Sequence, residues 1–226
     1  MSIADDQVAS AFACAGEACS SDGASTRMPE LGQVLDFRKK DGGDGRPSSH
    51  LTQTVFFVGF MGAGKTSVAR KLARNAGVAA IDVDTYIERR EGKKIAAIFD
   101  DVGEEKFRAM ETSVLRELAT GDPVLVSCGG GVVLRPENRA ILKESGFVVY
   151  LKVTAAEAAS RISNLSTRPL FGDLEQAQRV IESRLAFSEE VADIEIDTAG
   201  RGSGSVAREV MRLLKREGIL QTGEGT

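Results

Sequence analysis

The most specific chemical signal in the sequence is a glycine-rich loop, GFMGAGKT at residues 59–66, which matches the pattern G-x-x-x-x-G-K-[ST] without a gap. In such a loop backbone N–H groups surround phosphate oxygens, the lysine reaches the β- and γ-phosphates, and the hydroxyl binds Mg²⁺. An apolar run precedes the loop and a helical pattern follows it, which disfavours a glycine-rich turn with a surface lysine. The residues expected at the phosphates are Gly62, Ala63, Gly64, Lys65, Thr66 and Ser67.

Two carboxylates, Asp82 and Asp84, are the candidates for the acid that holds the metal. The apolar run at 124–128 ends in Ser-Cys-Gly-Gly-Gly instead of an acid, and the Asn-Lys-x-Asp motif of guanine-specific switches is missing from the sequence. Because ligands bind beyond the carboxyl ends of parallel strands, Asp82 and Asp84 are expected on the same sheet edge as the phosphate loop. An alternative is that Asp84 only caps a helix beginning near Thr85.

Arginines and glycines complete a candidate anion site. Phe107 belongs to a buried helical stripe, so Arg108 leaves that face and can point into a cleft. The three glycines at 129–131 follow a buried strand and would allow a ligand to approach the backbone closely. Arg168 lies in a polar stretch between two helical patterns, seven residues after Arg161, which is typical of a mobile lid that brings positive charge over phosphates.

The composition restricts the remaining chemistry. The chain has 226 residues and one histidine, His50, in a stretch that reads as unfolded, so acid–base chemistry falls to carboxylates, lysine, arginine or a metal. The net charge of −4 disfavours a protein that coats nucleic acid, and no apolar run approaches the roughly 18 residues of a membrane span. Three cysteines, including a buried Cys128, favour a reducing cytoplasm without disulfides.

The elements that must position these residues lie in one predicted domain, residues 51–218. Residues 1–50 carry eight acids and five bases and read as a disordered tail, and residues 219–226 read as a frayed end. Within the domain, apolar runs alternate with amphipathic stretches, which predicts an α/β fold with a parallel sheet between two helical layers. The predicted strands are residues 55–58, 79–82, 124–128, 147–153 and 193–197.

In their order, these motifs resemble those of shikimate kinases. The chain has GFMGAGKT, DVD followed by IERREGKKIAAIF, GEEKFR, CGGG, RPL and a late arginine before EEVAD, all between about residues 55 and 214. The phosphate loop is widespread, whereas D-x-D, G-E-x-x-F-R and the triple glycine in this order are much more specific. The resemblance implies a three-layer αβα P-loop kinase with a five-stranded parallel sheet in the order 2-3-1-4-5. It also implies ATP-dependent phosphorylation of the shikimate 3-hydroxyl, in chorismate and aromatic amino-acid biosynthesis.

The resemblance implies roles at the acceptor. Asp84 would bind the shikimate hydroxyls and act as the base. Arg108 and Arg184 would hold the carboxylate through their guanidinium forks, aided by Gly130 and Gly131.

It also implies roles at the nucleotide. Lys65 and Arg168 would stabilise the transferred phosphate, while Thr66 and Asp82 would hold Mg²⁺, with Asp82 acting through water. The residues implied at the adenine are Arg161 and Arg201. The partners would be ATP and shikimate, with no nucleic acid and no membrane, and the protein would be a cytoplasmic monomer.

One segment departs from the family pattern. Where shikimate kinases usually read Arg-x-Pro-Leu-Tyr, the chain reads RLAFS at residues 184–188. Either Phe187 fills the space of the tyrosine ring, or Arg184 is set differently and binding is weaker.

Two other functions stay open at this point. The first is another small-molecule P-loop kinase, for gluconate or a nucleoside monophosphate, which would not need Arg108 together with Arg184. The second is a non-catalytic nucleotide-binding protein, which would be expected to lack Lys65, Asp82 or Asp84, although all three are present.

Overall fold

Strands and helices alternate along the chain in the computed structural model, which describes residues 35–36, 49–161 and 174–222. The strands are β1 (Leu35–Asp36), β2 (Ser49–Leu51), β3 (Thr54–Val58), β4 (Ala79–Asp82), β5 (Leu125–Ser127), β6 (Gly146–Lys152), β7 (Ile194–Asp197) and β8 (Leu220–Thr222). The helices are α1 (Lys65–Ala76), α2 (Val83–Glu91), α3 (Ile95–Thr120), α4 (Pro136–Ser145), α5 (Ala155–Arg161), α6 (Leu174–Val191) and α7 (Ser203–Arg216), with a 3₁₀ turn at Val132–Leu134.

The main sheet has the order β1-β4-β5-β3-β6-β7. The five strands from β3 to β7 are parallel, whereas β1 pairs antiparallel with the outer side of β4. Numbered along the chain, the parallel strands have the order 2-3-1-4-5, so the predicted topology is confirmed. This order places the loop after β3 between the ends of β5 and β6.

Helices cover both faces of the sheet because its central strands are apolar on both sides. In β3 every residue is buried, and Phe56 and Phe57 point into different clusters. The cluster around Phe57 includes Leu72 of α1 and Leu214 of α7, and the cluster around Phe56 includes Leu118 of α3. Full burial of each such side chain contributes about 1.5–3 kcal/mol. Among the described residues no helix is long and apolar enough to cross a membrane.

Helix α3 is interrupted where the GEEKFR motif begins. Gly103 has φ 79° and ψ 171°, a conformation that glycine adopts far more easily than other residues, and helical geometry resumes after it. Phe107 on the following turn is buried at 3% exposure, and Arg108 next to it lines the main cleft, as the sequence predicts.

The structure corrects the predicted boundaries at both ends of the domain. Residues 49–50, assigned to the tail, and residues 220–222, assigned to the frayed end, form the antiparallel pair β2–β8. Leu51 and Leu220 face each other and are buried, while His50 is exposed within β2 and does not line the cleft. A pair of three-residue strands is too short to show a periodic pattern. The pairing of Leu35–Asp36 with β4 also lies in the segment read as disordered.

Candidate active site

A cleft of about 830 Å³ opens at the carboxyl edge of the parallel sheet. It lies between the β3–α1 loop, the start of α2, the second part of α3, the loop after β5 and the first turn of α7. The predicted site residues that line it are Gly62, Ala63, Gly64, Lys65, Thr66, Ser67, Asp82, Asp84, Arg108, Gly130, Gly131, Arg161, Arg184 and Arg201. Arg168 and the predicted lid around it lie outside the described residues.

The phosphate loop is shaped by its glycines and leads directly into α1. Gly64 caps α1 with φ 90°, and a Cβ on Gly62 would lie 2.8 Å from the Ala158 carbonyl oxygen. The Lys65 side chain is buried along the loop, and its Nζ donates to the carbonyl oxygens of Gly59 at 2.7 Å and Phe60 at 3.1 Å. The ammonium group is therefore already inside the loop, held by neutral acceptors that an anionic phosphate can replace.

Three oxygen-bearing side chains meet below the loop and fit a magnesium ion. The Thr66 hydroxyl donates to Asp82 Oδ2 at 2.7 Å and lies 3.0 Å from the Ser127 hydroxyl oxygen. Mg²⁺ prefers oxygen ligands and is usually held by one or two carboxylates together with waters and substrate phosphates. Thr66 and Asp82 therefore lie in direct contact beside the phosphate loop, where such an ion could be held. Ser127, at the end of β5, was not recognised in the sequence because serine before a glycine run carries no distinctive pattern.

The structure distinguishes the two aspartates that follow β4. Asp82, not Asp84, caps α2, because Asp82 Oδ1 accepts from the Thr85 amide and hydroxyl, both at 3.0 Å. Asp84 lies in the first turn of α2, exposed in the cleft, and a Cβ on Gly129 would be 3.2 Å from Asp84 Oδ1. The side chain of Asp84 is not needed as the helix cap and faces the triple-glycine loop.

Arg108 is fixed by two carboxylates of its own helix. Its guanidinium forms a salt bridge with Glu111 at 2.5 Å and another with Glu104 at 3.1 Å. The Arg108 side chain is 19% exposed and the Glu111 side chain only 1%. Although burial opposes it, the charge of Glu111 raises the pKa of Arg108. The arginine is thus a permanent cation with a fixed position at the wall of the cleft.

Glu111 is the functional residue that sequence reasoning missed. One of its carboxylate oxygens, Oε1, is buried without a hydrogen-bond partner among the described residues and points at Gly129. Burial raises the pKa of Glu111, whereas the charge of Arg108 acts in the opposite direction. The spacing of three residues from Arg108 on one helix was the available signal, but only the packing shows that Glu111 is buried.

The glycines after β5 are needed where charged side chains come close to the backbone. A Cβ on Gly131 would lie 2.6 Å from Arg108 Nη1. A Cβ on Gly129 would collide with the unpartnered oxygen of Glu111. Gly130 has a different role, because its carbonyl oxygen accepts a hydrogen bond of 3.1 Å from Arg184 Nη1. The loop therefore brings Arg108 and Arg184 to the same wall of the cleft.

Arg184 keeps a position in the cleft despite the altered segment that follows it. Burial, together with the nearby charge of Arg108, lowers the pKa of Arg184. At the position of the usual tyrosine, Ser188 is buried, and its hydroxyl donates to the Arg184 carbonyl oxygen at 3.1 Å and faces Tyr150. The Phe187 ring instead lies 4.5 Å below the guanidinium of Arg139. Phe187 therefore packs against Arg139, and the ring next to Ser188 is that of Tyr150.

On the far side of the phosphate loop, Arg161 and Arg201 are held by a single loop after β7. Arg161 Nη1 donates to Thr198 Oγ1 at 2.9 Å and to the Gly62 carbonyl oxygen at 3.4 Å. Arg201 donates to the Asp197 carbonyl oxygen at 3.0 Å and pairs with Glu209. Both arginines line the same cleft as the phosphate loop.

A parallel αβα fold with a phosphate loop, a carboxylate beside it and an arginine-lined acceptor wall defines the class of P-loop small-molecule kinases. The family model described as "Shikimate kinase" matches residues 61–215. The chain belongs to the shikimate kinase family.

Individual relatives agree over nearly their whole length. The chain is 39% identical over 166 residues to the shikimate kinase of Actinobacillus succinogenes, covering 72% of this chain and 95% of that one. It is 42% identical over 164 residues to the shikimate kinase of Halorhodospira halophila, covering 71% and 93%. The solved structure of shikimate kinase from Acinetobacter baumannii in complex with shikimate matches with a TM-score of 0.68 and 35% identity, covering 73% of this chain and 94% of that one.

Proposed function

We propose that this protein transfers the γ-phosphate of ATP to the 3-hydroxyl of shikimate, giving shikimate 3-phosphate and ADP. The observation that carries the proposal is the pairing of Arg108 with Arg184 on one wall of a cleft whose floor is the phosphate loop. Family membership supports the same reaction. Gluconate and nucleoside monophosphates are also anions, so family membership, and not the arginines alone, favours shikimate over them.

The acceptor side is suited to a carboxylate that carries hydroxyl groups. Arg108 and Arg184 are close enough for the charge of one to lower the pKa of the other, so an anion between them relieves their repulsion. Planar guanidinium groups bind a carboxylate through two parallel hydrogen bonds. Gly130 and Gly131 line the same wall, and the missing side chain of Gly131 leaves space for the Arg108 guanidinium against the backbone. The carboxylate of shikimate would be held here, with its hydroxyls directed at Asp84.

The chemistry requires positioning and positive charge more than strong proton transfer. Asp84 accepts the proton of the 3-hydroxyl as that oxygen attacks the γ-phosphorus and the bond to the β-phosphate oxygen of ADP breaks. Lys65 exchanges its bonds to the Gly59 and Phe60 carbonyls for the phosphates and stabilises the charge on the transferred group. Arg161 and Arg201 flank the adenine. Arg168, as the family resemblance implies, contacts the phosphate from the lid.

Thr66 and Asp82 would hold a magnesium ion, and Ser127 would support it. This set of hard oxygen donors fits Mg²⁺, because Thr66 and Asp82 already face each other at 2.7 Å. When bound with ATP, the ion neutralises phosphate charge. Asp82 also keeps its second oxygen on Thr85, so the metal position is tied to the start of the helix that carries Asp84.

We also propose that the enzyme acts as a cytoplasmic monomer and that residues 1–48 are not needed for turnover. Among the described residues the exposed large hydrophobic side chains are Leu134 and Leu174, two isolated positions with no extended apolar surface, which supports a monomer. The mixed charge of residues 1–48, with eight acids and five bases, and the position of every motif of the site after residue 58 support the second statement.

The test is a coupled ADP-release assay with ATP and Mg²⁺, in which shikimate, gluconate and AMP are offered in turn. We expect turnover with shikimate alone. Turnover with gluconate or AMP but not with shikimate would contradict the proposal. Phosphorus NMR of the product distinguishes the 3-phosphate from phosphorylation at another hydroxyl.

A further inference from the structure

One face of the molecule, remote from Arg108 and Arg184, is strongly basic. It is formed by exposed side chains of α1 and α7, which pack side by side. We call this surface the basic face; its residues are Arg70, Lys71, Arg74, Arg208, Arg212 and Lys215. Helix α1 contains no acidic residue, and the one acid of α7, Glu209, pairs with Arg201.

Two cations of the basic face, Lys71 and Arg208, lie close together. A Cβ on Gly204 would have Lys71 Nζ at 3.7 Å and an Arg208 guanidinium nitrogen at 3.8 Å, so these two charges converge on the first turn of α7. Among the described residues, no carboxylate forms an ion pair with Lys71, Arg208 or Arg212. Like charges held together in this way attract anions.

The same chain carries an acidic segment of the right length. Residues 1–34 contain five acids and one base, although the whole chain has a net charge of only −4. By the random-coil relation, a chain of 34 residues has a typical end-to-end distance of roughly 30 Å. Helix α1, with 12 residues, is about 18 Å long. The segment can therefore cover the basic face without being stretched.

The described residues also place the root of this segment at the edge of the sheet where both helices of the basic face begin. Because β1 pairs antiparallel with β4, with Leu35 opposite Ala80 and Asp36 opposite Ala79, the chain before Leu35 leaves toward the carboxyl edge of the sheet. Helices α1 and α7 both start at that edge, after β3 and β7. Downstream of β1, the chain returns at β2, which pairs with β8 directly after α7. The acidic segment is thus tethered beside the surface that attracts it.

We propose that residues 1–34 dock through their carboxylates onto the basic face of their own chain. Each exposed ion pair is weak, but tethering gives an effective concentration in the millimolar range and makes a weak contact populated. The docked segment shields a polycationic surface that would otherwise collect external polyanions. The contact is electrostatic, so salt weakens it as the Debye length falls from about 10 Å at 0.1 M to about 3 Å at 1 M.

The direct test uses the full chain and its own cysteines. Cys128 is buried, so a nitroxide reagent modifies Cys14 and Cys19, and the Cys14→Ser variant restricts the label to Cys19. We expect paramagnetic broadening of amide signals in α1 and α7 at 20 mM salt, at least threefold stronger than in α4, and its loss at 500 mM salt. Broadening without preference for α1 and α7 would overturn the proposal.

Charge reversal supplies the matched control. The variant Lys71→Glu/Arg208→Glu should abolish the local broadening, whereas Lys106→Glu/Lys143→Glu, which changes the net charge equally on other surfaces, should retain it. Broadening that survives the first variant would show that charge does not hold the segment. A second control mixes isotope-labelled chains that carry no spin label with spin-labelled chains that carry no isotope. Broadening in that mixture would show that the segment binds a second copy of the chain, and it would contradict the proposal.

Heparin chromatography tests the shielding itself. Replacing the acids of the segment with amides should expose the basic face and raise the salt concentration needed for elution. The replacements are Asp5→Asn, Asp6→Asn, Glu17→Gln, Asp22→Asn and Glu30→Gln. The increase should disappear when Lys71→Glu/Arg208→Glu is added and persist with the control pair of equal charge. Equal elution of both combined variants would contradict shielding.

Discussion

The nucleotide side and the acceptor side of the cleft are formed by different kinds of chemical groups. Around the phosphates, the protein uses backbone groups and short side chains whose bonds are local, as in the contacts of Lys65 with Gly59 and Phe60. At the acceptor wall it uses long charged side chains from α3 and α6 that are buried against one another. The first side is complete within one loop and its helix, whereas the second exists only after distant elements pack together. Changes on the two sides should therefore affect different steps.

The largest effect is expected on the nucleotide side. Lys65→Met should lower kcat by about 10⁴-fold, because a cation on the transferring phosphoryl group contributes about 10³–10⁵-fold. The KM for shikimate should change little. Steady-state kinetics with both substrates varied measures this, and Lys143→Met on the exposed surface of α4 is the control. A loss seen only in shikimate KM would contradict the division between the two sides.

Asp84 lies where the two sides meet. Asp84→Asn should lower kcat by about 10³-fold, since a positioned general base contributes about 10²–10⁴-fold, and ATP binding should be preserved. Because Asp82 and not Asp84 caps α2, the fold should stay intact. Titration with a fluorescent ATP analogue and a thermal melt check these points. Asp82→Asn should by contrast weaken metal-dependent binding, and Asp82→Ala should also destabilise the helix because it removes the cap. A fall in melting temperature for Asp84→Asn would refute the assignment.

On the acceptor side, the Arg108→Ala change should raise the KM for shikimate by about 10²-fold, from the loss of a charged contact that is worth roughly 3 kcal/mol. The KM for ATP should stay within about twofold. Because alanine leaves Glu111 buried without its cation, Arg108→Lys serves as a second variant with an intact charge. An unchanged shikimate KM in a folded Arg108→Ala protein would show that this arginine does not bind the carboxylate.

A smaller effect tests whether Gly131 is needed to leave space for the Arg108 side chain. In Gly131→Ala the new methyl group would lie 2.6 Å from Arg108, whose guanidinium would have to move. We expect the shikimate KM to rise by about tenfold with kcat nearly unchanged, and the melting temperature to fall, because the guanidinium has to move from the buried carboxylate of Glu111. Gly121→Ala is the matched control, since its Cβ would have ordinary contacts. Equal effects of the two substitutions would argue against this steric role.

The smallest effect concerns stability and pH. Burial raises the pKa of Glu111 above its ordinary value of 4.5, so the folded chain holds this proton more tightly than the unfolded chain. The resulting stabilisation is complete below pH 4.5 and is lost as the pH rises through the elevated pKa. Urea unfolding at intervals from pH 4 to 8 should show this decline in the free energy of unfolding, and Glu111→Gln should remove it. If the decline persists in Glu111→Gln, a different titrating group must cause it.

The same contrast explains which features the sequence can predict. The phosphate loop, the five parallel strands and the outward turn of Arg108 follow from local pattern, and the structure has them within about one residue. Glu111 and Ser127 carry no local signature, because their importance comes from what packs around them. The β2–β8 pair was missed for a related reason, as two three-residue strands far apart in the chain form only when the fold is complete.

The β2–β8 pair also determines how the domain responds to mechanical load. Ser49 and Thr222 are direct partners at the open end of the pair, so the two ends of the domain leave the surface at one point. A force applied to those two residues loads the strands in the unzipping direction, in which hydrogen bonds break one after another and not all together. The short pair should therefore open at low force while the parallel sheet stays intact. The proximity of its ends also makes the domain suited to circular permutation or to insertion into a loop of another protein.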